Sequence, residues 1–118
     1  LELAYLHATR YGNALQGTLL DWRVRPTQDM RGRTVLVLDD ILDEGHTLKA
    51  IIEHLQAEGA SEVLSAVLVH KLHTRKATPD MRADFSGLDI ADRFLFGCGM
   101  DYKGYWRNAP GIYAVKGL

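Results

Sequence analysis

The distribution of apolar residues predicts a strand, a helix and a second strand in the middle of the chain. Thr34–Leu38 contains four consecutive aliphatic residues, which is typical of a strand buried on both faces. Residues 48–55 carry apolar side chains at i, i+3, i+4 and i+7, the spacing of an amphipathic helix that Gly59 would end. Glu62–Val69 is a second apolar strand. This succession predicts a βαβ unit with two parallel strands.

The remaining segments predict shorter strands separated by loops. Leu1–Ala8 is expected to be a strand, and so are Arg93–Gly97 and Ile112–Val115. Thr9–Arg33 is polar and rich in Gly, and only Thr18–Val24 within it resembles a strand, so we expect a long hairpin or lid. The fold class is therefore α/β, with a mostly parallel twisted sheet and flanking helices. In such sheets the ligand binds beyond the carboxyl ends of the strands.

Composition limits the function further. The 118 residues suffice for one domain, and a net charge of -1 gives no reason to expect a nucleic-acid or membrane partner. The single cysteine, Cys98, excludes an internal disulfide and favours a reducing, cytoplasmic location, with its thiol buried. The chain begins at Leu1 in an apolar segment, so we expect it to be part of a longer protein.

The strongest chemical pattern is the segment Val-Leu-Val-Leu-Asp-Asp-Ile-Leu-Asp-Glu-Gly-His-Thr, which ends at Thr47. A tight loop containing Gly45 leads into a helix that begins at about His46 or Thr47. Backbone N–H groups of such a loop and of a helix N-terminus bind anions. The structural alternative is that Thr47 only caps the helix, with Asp43 and Glu44 complementing its dipole.

Two adjacent carboxylates, Asp39 and Asp40, are expected to end the buried strand. Such a pair is unfavourable there unless something compensates it. Sugar hydroxyls and a hydrated divalent cation are both suitable partners. Acids for a diol beside an anion-binding loop describe a site for a ribose phosphate.

Together these residues resemble the phosphoribosyl pyrophosphate signature of type I phosphoribosyltransferases. That family usually has Glu-Asp at 39–40, and Thr or Ser where this chain has Glu44, whose carboxylate should point away from the 5′-phosphate. Three further segments resemble parts of the hypoxanthine-guanine enzymes. Leu68–Lys71 resembles the segment with the purine-contacting lysine, Asp92–Arg107 the base-stacking and magnesium segment, and Ala8–Gly12 the start of the lid. Those enzymes also have an N-terminal pyrophosphate loop without an equivalent here, so residues 1–118 are expected to be the C-terminal two-thirds of one domain.

The resemblance implies transfer of a phosphoribosyl group from phosphoribosyl pyrophosphate to hypoxanthine or guanine, giving IMP or GMP and pyrophosphate. Asp43 would be the general acid/base toward purine N7. Lys71 would donate to the 6-oxo group and reject adenine, because an ammonium has no acceptor. Phe94 would stack on the base, although periodicity alone would assign it to the core. The phosphoribosyl group is expected to contact Asp39, Asp40, Asp43, Glu44, Gly45, His46 and Thr47.

The same resemblance implies further contacts. The Leu95 backbone and Asp101 would border the purine, and Arg107 would bind the pyrophosphate. Mg²⁺ is expected as cofactor, with Asp101, Asp39 and Asp40 as ligands. Arg10 and Tyr11 would belong to a flexible lid over residues 9–33. His70 and His73 are too few for a zinc site and are expected to be structural or solvent-facing.

The implied partners are phosphoribosyl pyrophosphate, a 6-oxopurine and its nucleoside monophosphate, and a homodimer or tetramer is expected. One alternative is a regulatory homologue that senses nucleotides or binds RNA, which the near-neutral charge disfavours. Another is a truncated fragment without activity. A third alternative is a phosphorylation receiver domain, because Val-Leu-Asp-Asp also occurs in that class. Receivers need a further Asp at the end of a strand, whereas Asp84 precedes Phe85 and does not end a strand.

Overall fold

The computed structural model describes residues 1–11 and 19–118. The elements are β1 (His7–Tyr11), β2 (Leu19–Val24), β3 (Thr34–Leu42), α1 (His46–Ala57), β4 (Glu62–Leu72), β5 (Phe85–Ala91), β6 (Leu95–Phe96) and β7 (Tyr113–Ala114). In the described part, the strands form a central sheet in the order β3-β4-β5 and two paired ribbons, β1-β2 and β6-β7. None of the helices described in these two ranges is long and apolar enough to cross a bilayer.

The predicted βαβ unit is confirmed. β3 runs parallel to β4, and β5 adds a third parallel strand on the other side of β4. α1 begins at His46 and ends at Ala57, and the chain then turns at Gly59, where φ is 96°. The Gly59 N–H donates to the Gln56 carbonyl at 3.0 Å. Glycine ends helices in this way because it adopts the left-handed conformation without a steric penalty.

The apolar side of α1 packs on one face of the central sheet. Leu48, Ile51 and Leu55 of the helix form a cluster with Val37 of β3 and Val67 of β4. All five side chains are buried, at 8% exposure or less. Burial of each contributes about 1.5–3 kcal/mol relative to exposure, so this cluster is the main reason that the helix stays on the sheet.

The opposite face of β3 is open, so the prediction of a strand buried on both faces is wrong for the described residues. Leu36 and Leu38 are 51% and 70% exposed, because α1 covers only the other side. β3 also continues to Leu42. Asp39 and Asp40 therefore lie within the strand and not beyond its end, since their backbones still pair with β4 or flank residues that do.

β5 is an edge strand that the apolar pattern did not predict. Its side chains are largely exposed, and it contains Gly87. A Cβ at Gly87 would lie 2.7 Å from the Leu68 carbonyl oxygen, so glycine permits the close approach of β5 to β4. Pairing with β4, and not a periodic apolar pattern, makes this segment a strand.

β1 and β2 pair antiparallel. β2 corresponds to the strand predicted at Thr18–Val24, whereas the first strand begins at His7 and not at Leu1, because residues 1–6 have no strand partner in the described part. Residues 12–18 and the side chains of Arg10 and Tyr11 lie outside what the structure describes. The flexible lid over residues 9–33 stays a prediction.

The C-terminal segment packs its short strands on the end of the sheet. Leu95 and Met100 form a second apolar cluster with Val69 of β4. Between them the chain makes a turn, in which the Met100 N–H donates to the Gly97 carbonyl at 3.0 Å. Cys98 lies in this turn with a φ of 49° and is exposed. The prediction of a buried thiol is wrong because the turn directs Cys98 away from the apolar cluster.

Candidate functional site

Residues 39–48 line an open cleft between the end of β3 and the start of α1. Its volume is ≈ 410 Å³, within the range of about 300–1,000 Å³ typical of small-molecule pockets. The loop turns at Gly45, the N-cap of α1, whose φ is 89°. A Cβ there would lie 2.6 Å from Met81 Sδ and 2.9 Å from Leu42 Cδ1, so any larger residue would have to displace both side chains in addition to adopting a left-handed backbone.

The N-terminus of α1 presents backbone donors to the cleft. The Lys49 N–H donates to the Gly45 carbonyl at 2.9 Å, so the N–H groups of residues 46–48 have no acceptor within the helix. α1, which lies wholly in the described part, has no side-chain cap hydrogen bond. The alternative in which Thr47 serves only as a cap is therefore wrong. Unpaired donors and the positive end of the helix dipole together favour an anion.

The loop between β3 and α1 is anchored through Glu44. Its backbone carbonyl accepts a hydrogen bond from the Ala77 N–H at 2.8 Å. Its half-exposed carboxylate lies 3.3 Å from Nε2 of His46. Glu44 thus connects the loop to the segment after β4 and uses its side chain within the loop.

Asp39 and Asp40 border this cleft as adjacent carboxyl groups whose negative charges repel each other. The Asp40 N–H donates to Asp39 Oδ1 at 2.9 Å. Although Asp39 is an exposed residue of β3, partial desolvation of its carboxyl and the negative charge of Asp40 raise the pKa of Asp39 above its ordinary value in spite of that hydrogen bond. Hydroxyl donors or a cation would stabilise the charged pair.

A second, smaller cleft shares Asp40, Ile41 and Asp43 with the first. Every residue predicted to contact the purine or the pyrophosphate borders it, although these residues come from separate segments of the chain. They are Lys71, Phe94, Leu95, Asp101 and Arg107. The two clefts therefore meet at Asp40 and Asp43, with the anion-binding loop on one side and these five residues on the other.

Asp43 has a hydrogen-bond partner at each carboxylate oxygen. Oδ2 accepts from Nζ of Lys71 at 3.1 Å, and Oδ1 lies 2.6 Å from Nε2 of His73. Partial burial alone would raise the pKa of Asp43, but the hydrogen bonds from His73 and Lys71 and the Lys71 charge lower it below its ordinary value. Asp43 is thus held as a carboxylate at the junction of the two clefts.

Phe94 presents an accessible ring to the second cleft. It is 45% exposed and meets Tyr102 edge to face, with the ring centroids 5.7 Å apart. Its neighbour Leu95 is only 7% exposed and belongs to the second apolar cluster. The core assignment that periodicity suggests for Phe94 is therefore fulfilled by Leu95, and the Phe94 ring is free to stack on a planar ligand.

Asp101 and Arg107 are paired across the far side of the second cleft. Arg107 Nη2 lies 3.5 Å from Asp101 Oδ1, and its Nη1 donates to the Gly99 carbonyl at 3.1 Å. Asp101 Oδ2 also accepts the Gly104 N–H at 2.7 Å. Both side chains remain substantially exposed, so each can contact an anion or cation in the cleft.

The structure brings two basic residues to this site, His73 and Lys76, whose contacts with Asp43 the sequence did not predict. The His73 side chain is 4% exposed and His70 is buried, so of the two expected alternatives, structural or solvent-facing, the structural one holds for both histidines. Lys76 Nζ donates to the backbone carbonyls of Asp43 and Lys71. The only hint in the sequence was the cluster of basic residues that follows Lys71, which is also typical of an exposed loop.

The predicted metal ligands do not form one cluster. In residues 1–11 and 19–118, the only three ligand atoms of His, Cys, Asp or Glu within 4.8 Å of one another belong to Asp43, His73 and Asp92. Lys71 already neutralises Asp43, and Arg75 binds Asp92 through two hydrogen bonds of 2.8 and 3.2 Å. This cluster is a compensated ion-pair network, which does not favour a cation.

Comparison with known proteins gives consistent results. Residues 1–103 match the family described as the phosphoribosyl transferase domain. Over 98% of its length the chain is 33% identical to the hypoxanthine-guanine phosphoribosyltransferase of Bacillus subtilis, covering 64% of that protein. It is 40% identical to the Aquifex aeolicus protein of the same name, over 75% of the chain and 48% of that protein.

Solved structures give the same result at the level of the fold. A hypoxanthine phosphoribosyltransferase structure from Staphylococcus aureus matches with a TM-score of 0.85 at 29% identity, covering 96% of this chain and 61% of that one. The Trypanosoma cruzi hypoxanthine phosphoribosyltransferase in complex with IMP, at 21% identity, matches with a TM-score of 0.86. The chain spans 64% or less of the length of the curated relatives from B. subtilis and A. aeolicus.

Proposed function

The chain belongs to the phosphoribosyl transferase domain family, and on that basis we propose that it transfers a phosphoribosyl group from phosphoribosyl pyrophosphate to hypoxanthine or guanine. The products are IMP or GMP and pyrophosphate. One observation carries this proposal: the cleft at Asp43 joins an anion-binding loop to Lys71, Phe94, Asp101 and Arg107. Names of relatives at 33% and 40% identity support the same reaction.

The loop between β3 and α1 would hold the ribose phosphate. The free N–H groups at the start of α1 suit the 5′-phosphate, because they supply donors and a positive dipole end without a counter-charge. Gly45 supplies the left-handed turn at which α1 begins, and the hydroxyl of Thr47 is available as a further donor. Asp39 and Asp40 would accept hydrogen bonds from the ribose hydroxyls, which relieves the unfavourable proximity of their charges.

The second cleft would hold the purine. Lys71 is 8% exposed, and its ammonium would donate to the 6-oxo group, where the amino group of adenine offers no acceptor. Phe94 would stack on the base, and the Leu95 backbone would contact its edge. In the structure the Lys71 ammonium donates to Asp43. A bound 6-oxopurine would compete for this ammonium with its 6-oxo oxygen and draw it away from Asp43. Asp43 would then accept the proton at N7 as N9 bonds to the sugar.

Pyrophosphate departure requires positive charge on the far side of the cleft. Asp40 and Asp101 both border the second cleft. Their oxygens and those of Asp39 do not form one direct ligand cluster in the described residues, so these carboxylates would hold a hydrated Mg²⁺ through its water molecules, together with substrate oxygens. When bound, Mg²⁺ would neutralise the charge that develops on pyrophosphate. Arg107 would add a guanidinium contact to the same anion. Closure of a lid containing Arg10 and Tyr11 would exclude water from the reacting sugar.

A longer protein is part of the proposal. The chain spans 64% or less of the relatives from B. subtilis and A. aeolicus, and the Leu36 and Leu38 side of β3 is open to solvent. We therefore expect an N-terminally extended version to have higher activity than residues 1–118. A comparison of turnover by the two versions, with phosphoribosyl pyrophosphate, Mg²⁺ and hypoxanthine, tests this expectation.

Asp43→Asn in both versions tests the reaction itself. The substitution removes the proton acceptor and preserves the shape, so turnover should fall by about 10²–10⁴-fold, the usual contribution of general acid–base catalysis. Binding of IMP should survive, and adenine should not be used. Asp29→Asn is the matched control, because Asp29 is an exposed carboxylate that pairs with Arg31. Unaltered turnover in Asp43→Asn would overturn the proposed function.

A further inference from the structure

His73 lies at the centre of a hydrogen-bonded cluster directly after β4. Its Nδ1 accepts the backbone N–H of Arg75 at 3.0 Å, and its Nε2 lies 2.6 Å from Asp43 Oδ1. The side chain is 4% exposed. A histidine this well buried, with both ring nitrogens engaged, has a fixed orientation relative to Asp43.

The contact with Arg75 determines where the imidazole carries its proton. A ring nitrogen that accepts an N–H hydrogen bond has no proton of its own, so the proton must be on Nε2. His73 is therefore the neutral Nε2–H tautomer and donates to Asp43. The Lys76 ammonium lies 3.4 Å from Nε2.

Lys76 also connects the segments that carry the reacting groups. Its Nζ donates to the backbone carbonyl of Asp43 and, at 2.6 Å, to that of Lys71. The loop after β3 and the end of β4 are thus held together beneath the cleft. Burial of the Lys76 ammonium lowers its pKa, an effect that Asp43 opposes by its charge. Lys76 thus contacts both the Asp43 backbone and the His73 ring.

The two oxygens of Asp43 consequently have different roles. Oδ1 is bound by the buried imidazole of His73. A ligand that enters the cleft does not attract this neutral ring, so the contact with Oδ1 persists. Oδ2 is bound by Lys71 at 3.1 Å, and Lys71 borders the second cleft. Only Oδ2 can therefore be released by a ligand that attracts the lysine.

We propose that His73 is a positioning residue for Asp43: its Nε2–H holds Oδ1, so that Oδ2 faces the purine and accepts the N7 proton. In this step the N7–H bond breaks, the Oδ2–H bond forms, and the electron pair stays on the purine. The inference rests on the proposed phosphoribosyl transfer. It adds a residue from the segment after β4 whose effect on the reaction is indirect, through Asp43.

The test compares two substitutions that each keep one half of the imidazole. His73→Gln can place a donor near the Nε2 position, whereas His73→Asn keeps an acceptor for the Arg75 N–H but does not reach Asp43. We expect kcat to fall about ten- to hundredfold in His73→Asn, the usual effect of losing a hydrogen bond to a charged group. KM should change little, and His73→Gln should recover most of the loss. His7→Gln, on the exposed part of β1, is the matched control.

A pH–rate profile separates positioning from general damage to the fold. Without the His73 donor the pKa of Asp43 should rise, so the acid limb of kcat/KM should move to higher pH in His73→Asn and not in His73→Gln. Several other charged and titratable groups surround Asp43. Lys71 belongs to β4, and His73, Arg75 and Lys76 belong to the loop that follows it. Asp92 lies next to His73, and Asp40, Asp101 and Arg107 border the second cleft. None of the others is altered in these variants.

Carboxyl ¹³C NMR of Asp43 and ¹⁵N NMR of the His73 ring give a readout that does not need turnover. We expect the Nε2–H tautomer in the wild-type chain, and an Asp43 titration that moves to higher pH only in His73→Asn. An unchanged Asp43 titration in His73→Asn, or an Nδ1–H tautomer, would overturn the inference. Absence of turnover in the extended wild-type protein would instead contradict the proposed function, while the NMR measurements still decide whether His73 holds Asp43.

Discussion

Substitution of Gly45 by alanine tests how the anion-binding loop is built. The residue has a φ of 89°, and placing a residue with a Cβ in the left-handed region costs about 1–2 kcal/mol. The new Cβ would also lie 2.6 Å from Met81 Sδ and 2.9 Å from Leu42 Cδ1. Overpacking of this kind costs about 1–3 kcal/mol. The free energy of unfolding should therefore fall by about 2–5 kcal/mol in Gly45→Ala, the sum of the two ranges.

Urea unfolding followed by circular dichroism measures this change, and two further variants separate its parts. Gly32 has a φ of 71°, and a Cβ at this residue would meet no atom within 4 Å, so Gly32→Ala should lose only the backbone part, about 1–2 kcal/mol. Gly45→Ala should cost less in a Met81→Ala background than in the wild type, because the Sδ overlap is gone. The reasoning is refuted if Gly45→Ala is no more destabilising than Gly32→Ala.

Three other outcomes follow from the same structure. Gly97→Ala should destabilise more than Gly99→Ala in urea unfolding, because both have φ near 97° but only the Cβ at Gly97 would overlap a backbone carbonyl; equal losses would contradict this. Asp84→Ala should cost about 1–3 kcal/mol, since the Asp84 carboxylate accepts from the N–H and hydroxyl of buried Ser65 at 2.8 and 3.2 Å; a smaller change would indicate that water replaces it. The pKa of Asp43 is lowered in the folded chain, so its contribution to stability is present above the unfolded pKa of about 3.9 and is lost as pH falls through the folded value. The stability difference between wild type and Asp43→Asn should shrink on acidification below that point, and a constant difference from pH 6 to pH 2 would contradict the assignment.

The local elements could be predicted because their determinants are close together in the chain. α1 is defined by apolar residues one turn apart and by Gly59, and the adjoining strands by runs of aliphatic residues. β5 could not be predicted in this way, since it is a largely exposed edge strand that contains a glycine and has no regular apolar pattern. Its conformation depends on hydrogen bonds to β4, and the sequence of β5 alone does not contain that information.

The site likewise has parts that the local sequence predicts and parts that it does not. The loop from Asp39 to Thr47 is contiguous, so its anion-binding character follows from the order of its residues. Lys71 and Phe94 could be associated with it only through resemblance to a family, because periodicity places Phe94 in the core as readily as in a cleft. The contact of His73 with Asp43 could not be predicted, because it depends on which atoms meet the two ring nitrogens.

By itself, the sequence determined the βαβ unit, the glycine turn into α1 and the position of the acids that precede it. These features depend on interactions over a few residues, and backbone geometry and side-chain spacing are sufficient to specify them. Only the tertiary structure decided which face of β3 is covered and that Asp43 lies between Lys71 and His73. Those facts depend on strand pairing and on the return of the loop after β4, where residues nearly thirty positions apart come within hydrogen-bond distance.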